Sequence, residues 1–114
     1  MIVRIRPAGP EEPENKLANA FIEWVDGPLE GLELVGFELW YVSGPGDEVP
    51  TVTFPSREEM MTDGQVHIIN LFRPTANADG IVDWKSTDKL NELIVAAYEA
   101  WRVSRLHPIP EDPA

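Results

Sequence analysis

Apolar and polar positions along this chain change their spacing once, near Ser86. Before that point apolar residues recur every second position, the period of a strand. After it they recur every third or fourth, the period of a helix. Ile2-Val3-Arg4-Ile5-Arg6 alternates and is β-branched, which predicts a short strand. Pro7 to Asn15 is rich in Pro and Glu and reads as a loop. Lys16 to Asp26 predicts a second strand. Ala18, Ala20, Ile22 and Trp24 share one face, and Leu17, Phe21 and Val25 the other. Two apolar faces imply a strand buried on both sides or covered by a partner subunit. Asp26-Gly27-Pro28 is a turn signal.

Leu32 to Ser43 predicts a longer strand. Leu34, Gly36, Glu38, Trp40 and Val42 alternate with Val35, Phe37, Leu39 and Tyr41. Glu38 places itself near an edge or a solvated face, and Gly36 marks a bulge or the close approach of another backbone. Ser43 to Asp47 reads as a loop, and Val49 to Phe54 as a short strand. A polar loop then runs from Pro55 through Glu58 and Glu59 to the hairpin signal Asp63-Gly64. Val66 to Phe72 is the next strand, ended by Arg73 and Pro74, and Thr75 to Asp83 is a loop.

In the helix, Leu90, Leu93, Ile94, Ala97, Tyr98 and Trp101 fall on one face. Ser86 reads as the N-cap, with Asp88 in the first turn where the helix dipole favours an anion. Arg102 and Arg105 lie near the end that favours cations, and Pro108 and Pro110 stop the helix. The expected fold is α+β: a mostly antiparallel sheet of four or five strands with one C-terminal amphipathic helix. One domain is expected over residues 1–107, with a disordered tail over 108–114.

Composition adds constraints. Of 114 residues, 43% are apolar, enough for a packed core, and four of them are Trp. The net charge of −11 resists non-specific association with nucleic acid or anionic lipid, because both are polyanions. That charge is uneven. Residues 1–84 hold 5 Lys/Arg against 15 Asp/Glu, whereas residues 85–105 hold Lys85, Lys89, Arg102 and Arg105 against Asp88, Glu92 and Glu99. The helical segment alone escapes the acidity. The chain has no Cys, which removes disulfides, thiolate metal sites and Cys nucleophiles. No apolar run is long enough to span a membrane, and the N-terminus does not read as a signal peptide. The expected location is cytoplasmic.

Little points to catalysis. His67 lies in a strand-like run, and His107 is the only other His, with no metal-ligand spacing between them. Ser56 lacks the elbow of a nucleophile and follows Pro55 as a turn residue would. Glu58, Glu59 and Asp63 do not match a calcium loop and read as solvated acids. Gly44-Pro45-Gly46 lacks the ending of a phosphate loop. No catalytic residue, metal, cofactor or small-molecule substrate is therefore expected. Met60-Met61 at a loop tip is either a partner contact or a pair folded onto the sheet. The cations Arg57, Lys85, Lys89, Arg102 and Arg105 are the functional candidates. Gathered on one face of a dimer they would form a basic patch for phosphates. Paired with neighbours, as Arg102 with Glu99 and Lys89 with Glu92, they would only decorate the helix.

Several segments come in a familiar order: Lys16-Leu17-Ala18-Asn19-Ala20, Gly36-Phe37-Glu38-Leu39, Val52-Thr53-Phe54-Pro55-Ser56-Arg57, Asp63-Gly64, and Asp88-Lys89-Leu90 through Ala97-Tyr98-Glu99. Over roughly residues 15–102 the chain resembles the stage V sporulation protein G family, also called septation protein SpoVG. Phe54-Pro55-Ser56-Arg57 followed by Asp63-Gly64 is the most specific part of the resemblance. It implies a β-rich homodimer with one helix per subunit. It also implies a bacterial, cytoplasmic, DNA-binding regulator linked to sporulation, septation or cell division, without enzymatic activity. The chain departs from the family pattern in a longer loop after Arg57, carrying Glu58-Glu59 where the family tends to a Lys. It departs also in Val66-His67-Ile68-Ile69 after the Asp-Gly turn, and in a longer loop before the helix. A protein-interaction module of the same fold, without nucleic-acid binding, is the alternative.

Overall fold

A computed structural model describes residues 1–41 and 50–106. Six strands precede one helix: β1 (Ile2–Pro7), β2 (Lys16–Glu23), β3 (Glu33–Trp40), β4 (Thr51–Thr53), β5 (Ser56–Met60), β6 (Val66–Asn70) and α1 (Lys85–Leu106). The fold is α+β with antiparallel pairing throughout. β1 to β4 form one sheet in chain order, and β5 and β6 pair separately as a hairpin. The loop over Ser43–Asp47 and the tail over 108–114 lie outside the described residues, as do Val42 and Val49 at two strand ends.

The sheet packs one face against α1. Val3, Ile5, Ala18, Ala20, Ile22, Leu34, Phe37, Leu39 and Val52 line that face, and Ile94 and Tyr98 descend onto it from the helix. Phe37, Ile22, Leu39 and Ile94 are the largest fully buried side chains. Leu90 and Trp101 pack at the margin as the helical period predicts, but Leu93 is 50% exposed. At 100° per residue Leu93 lies roughly 100° from Ile94, which carries it off the buried stripe.

β3 does not keep a strict alternation. Ala20 pairs with Phe37 and Ile22 with Leu34, so Phe21 faces two residues, Val35 and Gly36. This β-bulge realises the expectation at Gly36, whose φ of 108° favours glycine. A Cβ there would meet Pro55 Cβ at 3.2 Å. The bulge also rearranges the predicted faces: Leu34 joins Phe37 and Leu39 on the helix side, and Val35 turns to solvent.

The polar run after Pro55 is a strand rather than a loop. Ser56 to Met60 pairs residue for residue with Val66 to Asn70. Every side chain on β5 is exposed, and on β6 only Ile69 is partly covered. With neither face buried, the segment carries no apolar alternation to betray it. Asp63 and Gly64 close the turn as predicted: the Asp63 carboxylate accepts from the Gln65 N–H at 2.9 Å, and Gly64 has φ of 82°. Met60 and Met61 are not folded onto the sheet; they are 75% and 42% exposed.

At the start of α1 the cap is Asp83 rather than Ser86. The Asp83 carboxylate accepts from the Lys85 N–H at 3.0 Å, while Ser86 already lies in the first turn and donates its hydroxyl back to the Asp83 carbonyl.

Replacing Ile94 with Ala is expected to destabilise the chain by about 2–5 kcal/mol, the range for an aliphatic core truncation that leaves a cavity. Leu93→Ala is expected to stay within about 0.5 kcal/mol. Urea unfolding midpoints measure both, and similar losses for the two would contradict this docking of the helix.

Candidate nucleic-acid interface

The structure divides the five candidate cations. Arg57 stands exposed on the hairpin, 3.6 Å from Glu59. Arg102 pairs with Glu99 at 2.9 Å, and the Arg105 guanidinium lies 4.8 Å from the centre of the Trp101 ring. Lys85 and Lys89 lie one turn apart on the exposed side of α1 and have no acidic partner among the described residues. From Lys89 to Arg102 is about 20 Å along the axis at 1.5 Å per residue. One copy of the chain therefore presents the candidates as separate groups.

A further cation joins Lys85 and Lys89. Arg73, three residues beyond the end of β6, is exposed and likewise has no acidic partner among the described residues. It lines a groove of about 560 Å³ together with Asn70, Pro74 and Trp84. Trp84 immediately precedes α1 and is 57% exposed. Against it opens a second cleft of about 260 Å³, walled by Val52, Phe54 and Phe72 and edged by Asn70, Asp88 and Asn91. Sequence reading passes over Arg73 and Trp84. Arg73 looks like a strand terminator, and Trp84 like any other core anchor. What distinguishes them is the exposure of the loop that brings them together.

The elements that hold this region are explicit. Phe37, Phe54 and Phe72 form an aromatic cluster, with Phe37 meeting Phe54 at 5.3 Å and Phe72 at 5.7 Å, both edge-on. The Leu71 N–H donates to the Pro55 carbonyl at 2.9 Å, tying the hairpin's exit to its entrance. In the loop that follows, the Asn77 side-chain oxygen accepts from the Asp79 and Ile81 N–H groups, both at 2.9 Å.

The other strong polar arrangement belongs to the sheet face away from α1. The Lys16 ammonium is largely buried and bridges Glu12 at 2.6 Å and Glu38 at 2.7 Å. It also lies 5.8 Å from the Trp40 ring centre. Glu12 accepts further from the Gly9 N–H and the Asn19 amide. Hydrogen bonding from Lys16, then from Gly9 and Asn19, lowers the Glu12 carboxyl from 4.5 to about 2. Burial works against the Lys16 ammonium, but its hydrogen bonds to Glu12 and Glu38 outweigh that and raise its pKa. Arg4 pairs with Glu23 and Arg6 covers the Phe21 ring on this same face. These cations are already engaged, and they hold the first loop to the sheet.

Among the candidates for chemistry, His67 is exposed on β6 opposite Glu59. Ser56 begins β5, and Glu58 and Glu59 lie on opposite faces of the hairpin. His107 and Gly44-Pro45-Gly46 lie outside the described residues. Among the described residues no group of three His or acidic side chains is placed to hold a metal ion, and no helix is long and apolar enough to cross a membrane.

Because its pKa is lowered on folding, Glu12 contributes stability that is present above pH 4.5 and is lost as pH falls toward 2. The melting temperature of the parent is expected to fall more steeply across that window than that of Glu12→Gln. Thermal unfolding followed by circular dichroism measures this, and parallel curves would contradict the assignment. No protein family, curated protein or solved structure matches this chain.

Proposed function

We propose that this chain is a non-enzymatic regulatory protein that binds nucleic acid as a homodimer, in the manner of the sporulation protein G family it resembles. The observation that supports this best is the placement of Arg73, Lys85 and Lys89. In an acidic chain whose other cations are paired or stacked on rings, these three face solvent around the start of α1. Cations held without acidic partners are free to displace the counterions of a phosphate backbone, and this release supplies affinity independent of sequence. Lys85 and Lys89 stand four residues apart on one helix face, a spacing that sets Cβ atoms about 6 Å from each other, close enough to serve one strand. Arg102 and Arg105 supplement them only from a neighbouring copy or along an extended strand.

Binding is expected in electrophoretic shift or fluorescence anisotropy at low salt, with log affinity falling linearly against log salt. The Lys85→Ala/Lys89→Ala double variant is expected to weaken binding about tenfold and to reduce the salt slope by about 1–2. Arg102→Ala/Arg105→Ala is expected to do less. If the parent binds no DNA or RNA at low salt, the proposal fails.

The hairpin supplies the support for a homodimer. Met60, Val66 and Ile68 share one of its faces and are 75%, 55% and 70% exposed. A lone two-stranded hairpin is marginal in water, so a second copy laid against this apolar stripe gives it the partner it lacks. Sedimentation is expected to show a dimer, and Ile68→Asp to weaken association at least tenfold without altering the circular dichroism of the subunit. An unchanged dimer in that variant would remove the hairpin from the interface. The same exposed stripe also favours the second reading, a protein-interaction module. A monomer that captures a defined protein and no nucleic acid would favour that reading.

A further inference from the structure

We propose that the cleft between the end of β6 and the start of α1 receives an unpaired base of a single-stranded nucleic acid, stacked on Trp84. The inference rests on the nucleic-acid reading above and specifies which form of nucleic acid the site takes.

Of the four Trp residues Trp84 is the exposed one; Trp24, Trp40 and Trp101 are each partly buried. At 57% exposure the Trp84 ring offers a large apolar face to solvent beside a cleft, which a stacked partner can cover. Trp84 is nonetheless well placed. Its carbonyl accepts from the Thr87 and Asp88 N–H groups, which fixes its backbone to the helix start. Phe72 and Phe54 form the facing wall, and both are held through the buried Phe37 ring. The result is a prearranged aromatic slot, and stacking in such a slot tolerates any base because every base has a π-face.

The polar rim suits base edges. The side-chain amides of Asn70 and Asn91 and the indole N–H of Trp84 form no hydrogen bond among the described residues. Asn offers a donor and an acceptor side by side, the pattern that matches adenine. The Asp88 carboxylate accepts and favours the amino group of cytosine or adenine. The Asp83 carboxylate, just before Trp84 in sequence, is already taken up by the Lys85 N–H. Arg73 on the groove side and Lys85 and Lys89 on the solvent side stand ready for the flanking phosphates. A paired duplex cannot use this slot, because its bases are stacked and their faces are closed.

The test is fluorescence anisotropy with a labelled oligodeoxycytidine of about ten nucleotides, within the site size of such platforms. It is run beside an oligodeoxythymidine of the same length and a mixed-sequence duplex. Single strands are expected to bind more tightly than the duplex, with cytidine ahead of thymidine. Trp84→Ala is expected to weaken single-strand binding about 5- to 150-fold, the range of one base–aromatic stack, and Trp84→Phe to restore most of it. The exposed position of Trp84 leaves the fold intact in either variant, which the circular dichroism spectrum checks. Equal affinity for single strand and duplex, unchanged in Trp84→Ala, would overturn this inference and leave nucleic-acid binding standing. Failure of the parent to bind any of the three would remove both.

Discussion

The burial of Phe37 is the constraint on which the rest of the structure depends. Its ring lies wholly inside, edge-on to Phe54 and Phe72, beneath the helix that covers the sheet. It reaches that position only because β3 bulges at Val35–Gly36. Without the extra residue, the face that carries Leu34 would continue with Gly36 and Glu38, placing a carboxylate in the core. Pro55 closes over Gly36, and the chain leaves the sheet there for the hairpin. Sheet, hairpin root and candidate cleft therefore meet at one ring.

The charge distribution follows a simple division. On the sheet face away from the helix, cations are consumed by structure: Lys16 between Glu12 and Glu38, Arg4 on Glu23, Arg6 over Phe21. The chain's large negative charge thus hides a smaller region where three cations remain available. A net charge describes the average field and says little about such a local arrangement.

The fold was legible where one face of an element is buried and the other is wet. β1, β2 and α1 announce themselves by period, β6 by its β-branched Val66, Ile68 and Ile69, and the Asp63-Gly64 turn by its backbone demands. Gly36 signalled a bulge, but which residues it would turn inward depended on pairing with β2, which lies outside local sequence. β5 was unreadable for the opposite reason: Ser56, Arg57, Glu58 and Glu59 are all exposed, so no alternation marks the strand. The candidate interface was half legible. Lys85 and Lys89 stood out by charge. Arg73 and Trp84 did not, because their significance comes from the meeting of a strand end with a helix start across a loop.

The helix covers both β1 and β4, the two borders of the sheet. The sheet itself is a meander of sequential neighbours, whose contacts are local and quick to form. Its inner face, however, stays open to water until α1, the last element in sequence, packs back against β1, the first. During synthesis the first strands therefore wait unshielded, and completion of the fold is a late, long-range closure of α1 onto β1.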